Sequence, residues 1–187
     1  MPQPYQEYID KILIPEDVLQ ARIRELAAEI NRDYAGEELL VICILRGGVM
    51  FLTDLIRHID VPLAIEFMAV SSYGSGARSS QGDVRITLDL NTTIHDRHVM
   101  IVEDIIDSGH TLSSVIDLLK TREPASIYIC TLLDKHERRE VEVPIRYCGF
   151  KITNEFVFGY GLDMDEYYRN LPFIATVDLD KYVSPVG

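Results

Sequence analysis

Residues 99–112 read V-M-I-V-E-D-I-I-D-S-G-H-T-L, and no other stretch restricts the fold as much. Val99, Met100, Ile101 and Val102 are apolar without alternation. A strand of that kind is covered on both faces, as in a parallel sheet between helices. Two adjacent carboxylates follow, Glu103 and Asp104. After Ile105 and Ile106 comes a short polar turn, Asp107-Ser108-Gly109-His110-Thr111. Leu112, Val115, Ile116 and Leu119 then recur at helical spacing. The stretch therefore predicts a buried strand, acids at its carboxyl end, a loop and a helix start. Open parallel sheets bind ligands beyond the carboxyl ends of their strands. Gly109 lets the backbone come close to such a ligand, and the amides of residues 108–111, at the positive end of the helix dipole, suit a phosphate. Glu103 and Asp104 suit hydroxyl groups, or a magnesium ion through water. A phosphate site beside a diol-and-metal site describes a ribose phosphate.

The same plan recurs. Residues 39–45 (L-L-V-I-C-I-L) form a second buried strand, stopping at Arg46-Gly47-Gly48 before a helix over 49–59. The amides of that glycine loop can hold an anion. Residues 125–133 form another buried strand, ending at Asp134-Lys135. Lys135 is either a donor to a ligand carbonyl at the sheet edge or a surface lysine in K-H-E-R-R-E, a mixed-charge run that reads as a solvated loop. Strands over 61–70 and 85–90 flank residues 71–83, in which three glycines and five serines cannot pack a core. That segment reads as a hairpin tip or a lid. Pro15, Glu16 and Asp17 open a helix whose apolar stripe is Val18, Ile23, Leu26, Ala27 and Ile30, ending before Gly36. A strand over 145–152 precedes N-E-F-V-F-G-Y-G-L-D, and 174–177 form a last strand. Phe156 there is either core or a platform for a planar ring. Strands alternating with helices give an α/β fold, a mainly parallel twisted sheet flanked by helices, in one domain over 1–187.

Charge narrows the partners. The formal net charge is −12 over 187 residues, a balance that repels nucleic acid and anionic membranes. It repels an anionic substrate too, so such a substrate needs a divalent cation and a few placed cations. No run approaches the roughly 18 apolar residues of a membrane span. The first residues lack the pattern of a signal peptide. Cys43 and Cys130 lie in apolar runs, and with Cys148 they read as free thiols of a cytoplasmic protein.

E-D-I-I-D-S-G-H-T resembles the 5-phosphoribosyl-1-pyrophosphate (PRPP) signature of the type I phosphoribosyltransferases. L-R-G-G resembles the pyrophosphate loop of the purine-specific members, which often carries a non-proline cis peptide, here between Leu45 and Arg46. S-S-Y-G-S-G resembles the lid of hypoxanthine phosphoribosyltransferases, and L-L-D-K their base-binding lysine segment. F-V-F-G-Y-G-L-D-M-D-E-Y-Y-R-N-L-P resembles their C-terminal hood. The resemblance spans roughly residues 12–177. It implies the type I fold with a small hood drawn mainly from about 145–187, with room for the N-terminal residues. It also implies transfer from PRPP to a 6-oxopurine, with Mg2+ as cofactor, in the manner of the bacterial hypoxanthine and hypoxanthine-guanine enzymes. A xanthine/guanine preference, or a PRPP- or purine-sensing regulator on the same fold, are the alternatives.

Carried over residue by residue, the resemblance makes Asp107 the catalytic acid/base. PRPP falls to Arg46, Gly47, Glu103, Asp104, Asp107, Ser108, Gly109, His110, Thr111 and Arg169, and the lid to Ser72 and Tyr73. Lys135, Phe156, Val157 and Asp163 would hold the purine, and Glu103, Asp104 and Asp163 the metal. Other relatives carry different side chains at His110, which leaves its own role open. The partners implied are PRPP, a 6-oxopurine and further copies of the chain in a dimer or tetramer, with no nucleic acid and no membrane.

Overall fold

In a computed structural model, residues 5–72, 84–178 and 180–181 are described. Among them the chain runs β1 (Ile9–Ile14), α1 (Glu16–Asp33), β2 (Leu39–Leu45), α2 (Val49–Ile56), β3 (Leu63–Ser72), β4 (Val84–Leu88), β5 (His98–Ile106), α3 (His110–Lys120), β6 (Ser126–Asp134), β7 (Ile145–Lys151), β8 (Val157–Phe158) and β9 (Ile174–Val177). Six strands form one sheet in the order β4-β3-β2-β5-β6-β7, parallel except for the β3–β4 hairpin at its edge. The segment expected as a lid lies largely outside the described residues. Tyr73 is among those outside, and only the backbone of Ser72, closing β3, is described.

The unbroken apolar runs have the reason expected of them. Along β2, Val41 and Cys43 pack with Leu26 and Ile30 of α1 and Phe51 of α2. Their neighbours Leu40, Ile42 and Ile44 pack on the opposite face with Leu112, Val115 and Ile116 of α3. Burying a side chain of that size stabilises the fold by roughly 1.5–3 kcal/mol.

The central strand β5 runs to Ile106, and Glu103 and Asp104 lie in its carboxyl-terminal part, as expected. Register holds them there, because Glu103 pairs with Thr131 and Ile105 with Leu133 of β6. Three expectations shift. On α1 the stripe starts at the buried Leu19, whereas Val18 is 44% exposed. The helix after the glycine loop ends at Ile56 rather than 59. The hood starts later than 145, because β7 joins the large sheet; a separate antiparallel sheet, β1-β9-β8, brings the N-terminal Ile9–Ile14 beside β9, as the resemblance allowed. Tyr8, Phe158, Met164, Leu171 and Ala175 form its own small core.

Candidate active site

The carboxyl end of β5 opens into a cavity of about 190 Å3 lined by Glu103, Ile105, Ile106, Asp107, Ser108, Gly109, Thr111 and Leu112. The loop at its rim is shaped by one residue. Gly109 has φ +91°, a conformation side chains rarely adopt, and a Cβ there would overlap the Val141 carbonyl oxygen. From it α3 starts at once, and its first helical hydrogen bond runs from Ser113 N to Gly109 O (2.9 Å). The amides of His110, Thr111 and Leu112 precede that bond, so they are donors without a helical acceptor at the positive end of the dipole. The loop is held from behind: the Ser108 carbonyl accepts from Glu140 N (2.9 Å) and Val141 N (3.0 Å). His110 Nε2 lies 2.9 Å from Glu140 Oε2.

The two acids of β5 sit in a dry environment. Burial, then the neighbouring Asp104, pushes the Glu103 carboxyl well above the usual range. Its Oε2 is shut off from solvent without a hydrogen-bond partner. Asp104 is 8% exposed, and burial raises it as well, against hydrogen bonds from Glu103 and from Ile105 N (2.9 Å) and the charge of Arg169. Two desolvated carboxyls side by side, one with an orphaned oxygen, are a donor set that fits a hard divalent cation.

Asp107 projects from the loop, and Arg138 Nε stands 2.7 Å from its Oδ1, off the hydrogen-bonding direction. Lys135, just past β6, donates its amide to Ile106 O (2.9 Å), and burial lowers its ammonium pKa against the pull of Asp107. So Lys135, Asp107 and Arg138 share one corner of the site.

The R-G-G loop and the hood meet on its far side. The Leu45–Arg46 peptide is cis, as the resemblance implies. Gly47 lies directly on the Asp104 carboxylate, and Gly161 of the hood on the Gly47 carbonyl, with no room for a side chain at either glycine. Arg169 donates to Gly161 O (2.8 Å) and pairs with Asp163 Oδ1 (2.7 Å). Asp163 Oδ2 also accepts from Glu166 N (2.9 Å), and Glu166 reaches Arg46 at 2.7 Å.

Of the residues singled out from sequence, Glu103, Asp107, Ser108, Gly109 and Thr111 line one cavity, and Asp104, Gly47, Arg46, Arg169 and Asp163 connect beside it. Asp163 spends its carboxylate on Arg169 and Glu166, and no three acids, histidines or cysteines gather as a metal cluster among the described residues. Phe156 is 53% exposed, which favours a platform over core, and Val157 beside it is buried in β8. The K-H-E-R-R-E run is no mere solvated loop. Arg139 and Asp134 form an ion pair with side chains only 4% and 5% exposed, and Arg138 and Glu140 brace the loop at Asp107 and Ser108. Sequence reading missed these two and Glu166. The available signal was the position of the basic run, straight after a strand's carboxyl end and opposite an acidic loop.

Comparison with known proteins agrees with this geometry. Residues 16–165 match the phosphoribosyl transferase domain. The hypoxanthine phosphoribosyltransferase of Haemophilus influenzae is 51% identical over 173 residues, 91% of this chain and 96% of that protein. A hypoxanthine phosphoribosyltransferase structure from Staphylococcus aureus superposes with a TM-score of 0.92 at 43% identity, covering 98% of this chain and 100% of the other. A hypoxanthine-guanine phosphoribosyltransferase from Bacillus anthracis gives 0.86 at 45% identity over 91% of this chain and 98% of that one.

Proposed function

This chain belongs to the phosphoribosyl transferase family, and we propose that it is a hypoxanthine phosphoribosyltransferase of purine salvage, moving the 5-phosphoribosyl group of PRPP onto hypoxanthine to give IMP and pyrophosphate. One observation supports the reading above the others: the helix start behind Gly109 and Glu103 of β5 open onto one cavity, with the Asp104 carboxyl buried next to Glu103. The amides of residues 108–111 hold the 5-phosphate, and Glu103 and Asp104 face the ribose hydroxyls. Arg46, the Gly47 amide and Arg169 take the pyrophosphate.

As the base's ring nitrogen attacks the ribose carbon and the bond to pyrophosphate breaks, the purine gives up a proton. Asp107 receives it at N7. Lys135 donates to the exocyclic oxygen, Phe156 stacks on the ring, and Val157 offers its main chain to the ring edge. Guanine carries the same oxygen, so it is the second substrate of this pocket. Ser72 and Tyr73 belong to the lid that keeps water from the ribosyl centre.

Magnesium is the proposed cofactor. Glu103 and Asp104 would hold it, directly or through water, with Asp163 at the hood side; bound there it neutralises charge on the leaving pyrophosphate. The same reading places the enzyme in the cytoplasm as a dimer or tetramer, a location that its three free cysteines fit.

The test is an assay of the purified protein with PRPP and Mg2+, offered hypoxanthine, guanine, xanthine, adenine and uracil in turn. IMP and GMP are the expected products. Nucleotide from uracil or adenine alone, or from no base, would overturn the reading.

A further inference from the structure

Glu166 has an unusual setting. It lies in the hood turn closed by the Met164–Tyr167 bridge, with φ +72°, next to Asp165 at φ +49° and two residues before Tyr168 at φ +68°. Three non-glycine residues with positive φ within four positions cost on the order of 1–3 kcal/mol each, so something must hold them there. Part of the hold is the bond from Glu166 N to Asp163 Oδ2 (2.9 Å). The result aims the Glu166 carboxylate at two cations that arrive from different sheets. Arg46 of the glycine loop lies 2.7 Å away and Arg169 of the hood 3.8 Å. These are the two arginines assigned to the pyrophosphate.

We infer that Glu166 is a resident anion of the pyrophosphate subsite, a positioning residue that holds Arg46 and Arg169 ready and competes with pyrophosphate for them. The inference rests on the proposed function and adds to it a control on how the leaving group departs. Its energetics suit displacement. The Arg46 and Glu166 side chains are 67% and 60% exposed, and an exposed pair of that kind is weak. Pyrophosphate with its metal can displace such a carboxylate, and the carboxylate can return as pyrophosphate leaves. Arg46 and Arg169 left bare would otherwise keep hold of the product.

The test measures magnesium pyrophosphate binding to the whole protein by calorimetry, together with pyrophosphate inhibition of IMP formation. Glu166→Gln should tighten pyrophosphate roughly twofold to fivefold, the range an exposed ion pair allows. The KM for PRPP should fall with it, while the melting temperature stays put. The gain should shrink in an Arg46→Gln background. Glu16→Gln, at the start of α1, makes the same change in net charge and should leave pyrophosphate affinity unaltered. Equal or weaker pyrophosphate binding by Glu166→Gln would overturn the inference, and so would an equal gain from Glu16→Gln. A native chain that makes IMP while either of these holds would keep its function and lose only this role for Glu166. A native chain that binds no pyrophosphate and makes no IMP would remove the functional reading itself.

Discussion

Gly47 and Asp104 touch with no volume between them: a Cβ built on Gly47 falls inside the Asp104 carboxylate. The anion loop after β2 is thereby seated on the acid of β5, and the two halves of the site are fixed to each other. Gly47→Ala forces Asp104 out of its bond to Ile105 N. Overpacking of this sort costs about 1–3 kcal/mol, and misplacement of about 1 Å at a reacting centre costs on the order of 10²-fold in rate. Urea denaturation and steady-state transfer kinetics check both figures.

Asp107→Asn keeps the side chain's size and removes its basicity. Turnover should fall on the order of 10²–10⁴-fold, with the urea midpoint nearly unchanged because the side chain is half exposed. Near-normal turnover would take Asp107 out of the proton transfer.

Glu103 makes apo stability depend on pH in an unusual direction. Its folded pKa is raised above the ordinary 4.5, so between 4.5 and the raised value the native state keeps a proton that the unfolded chain has lost. The contribution is whole below 4.5 and lost as pH rises through that window, with a slope reaching about 1.4 kcal/mol per pH unit for one proton. Asp104 is shifted the same way and adds to the fall. Glu103→Gln should flatten the decline, measured by urea unfolding without metal across pH 4.5–8. Mg2+ should stabilise the native protein at the upper end of that range more than the variant.

The buried pair of Arg139 with Asp134 anchors the segment that braces the loop at Ser108. Arg139→Leu leaves Asp134 buried without its partner, a loss of about 3–5 kcal/mol. Arg139→Leu with Asp134→Leu should recover part of it, since removing both charges leaves none uncompensated. Melting of the single and double variants decides this.

Phe156→Ala should leave stability within about 0.5 kcal/mol, as exposed positions do. It should raise the KM for hypoxanthine up to about tenfold, the worth of an aromatic stack, with the KM for PRPP unaltered.

Much of this was readable before any coordinates. Unbroken apolar runs at 39–45 and 99–102 demand two covered faces, and α1, α2 and α3 supply them. Gly109 between an acid-bearing strand and an amphipathic helix marked the tight loop that joins them. What stayed hidden depends on contacts far apart in sequence. Nothing local in Ile9–Ile14 says that it pairs with Ile174–Val177. The run 135–140 has the composition of a solvated loop, and only the partner Asp134 makes Arg139 a buried residue. Val18 and Leu19 are neighbours of equal apolarity, and the angle of α1 on the sheet chooses between them. Glu166 carries no local signal, since its partner Arg46 lies 120 residues away.

The most direct measurement is of the backbone amides at the loop after β5. With 15N-labelled protein titrated with IMP, the amides of Ser108, Gly109, His110 and Thr111 should shift most, and Asp107→Asn should leave those shifts in place. Silence at these four amides, with the largest shifts elsewhere in the chain, would contradict the assignment of this loop to the sugar phosphate.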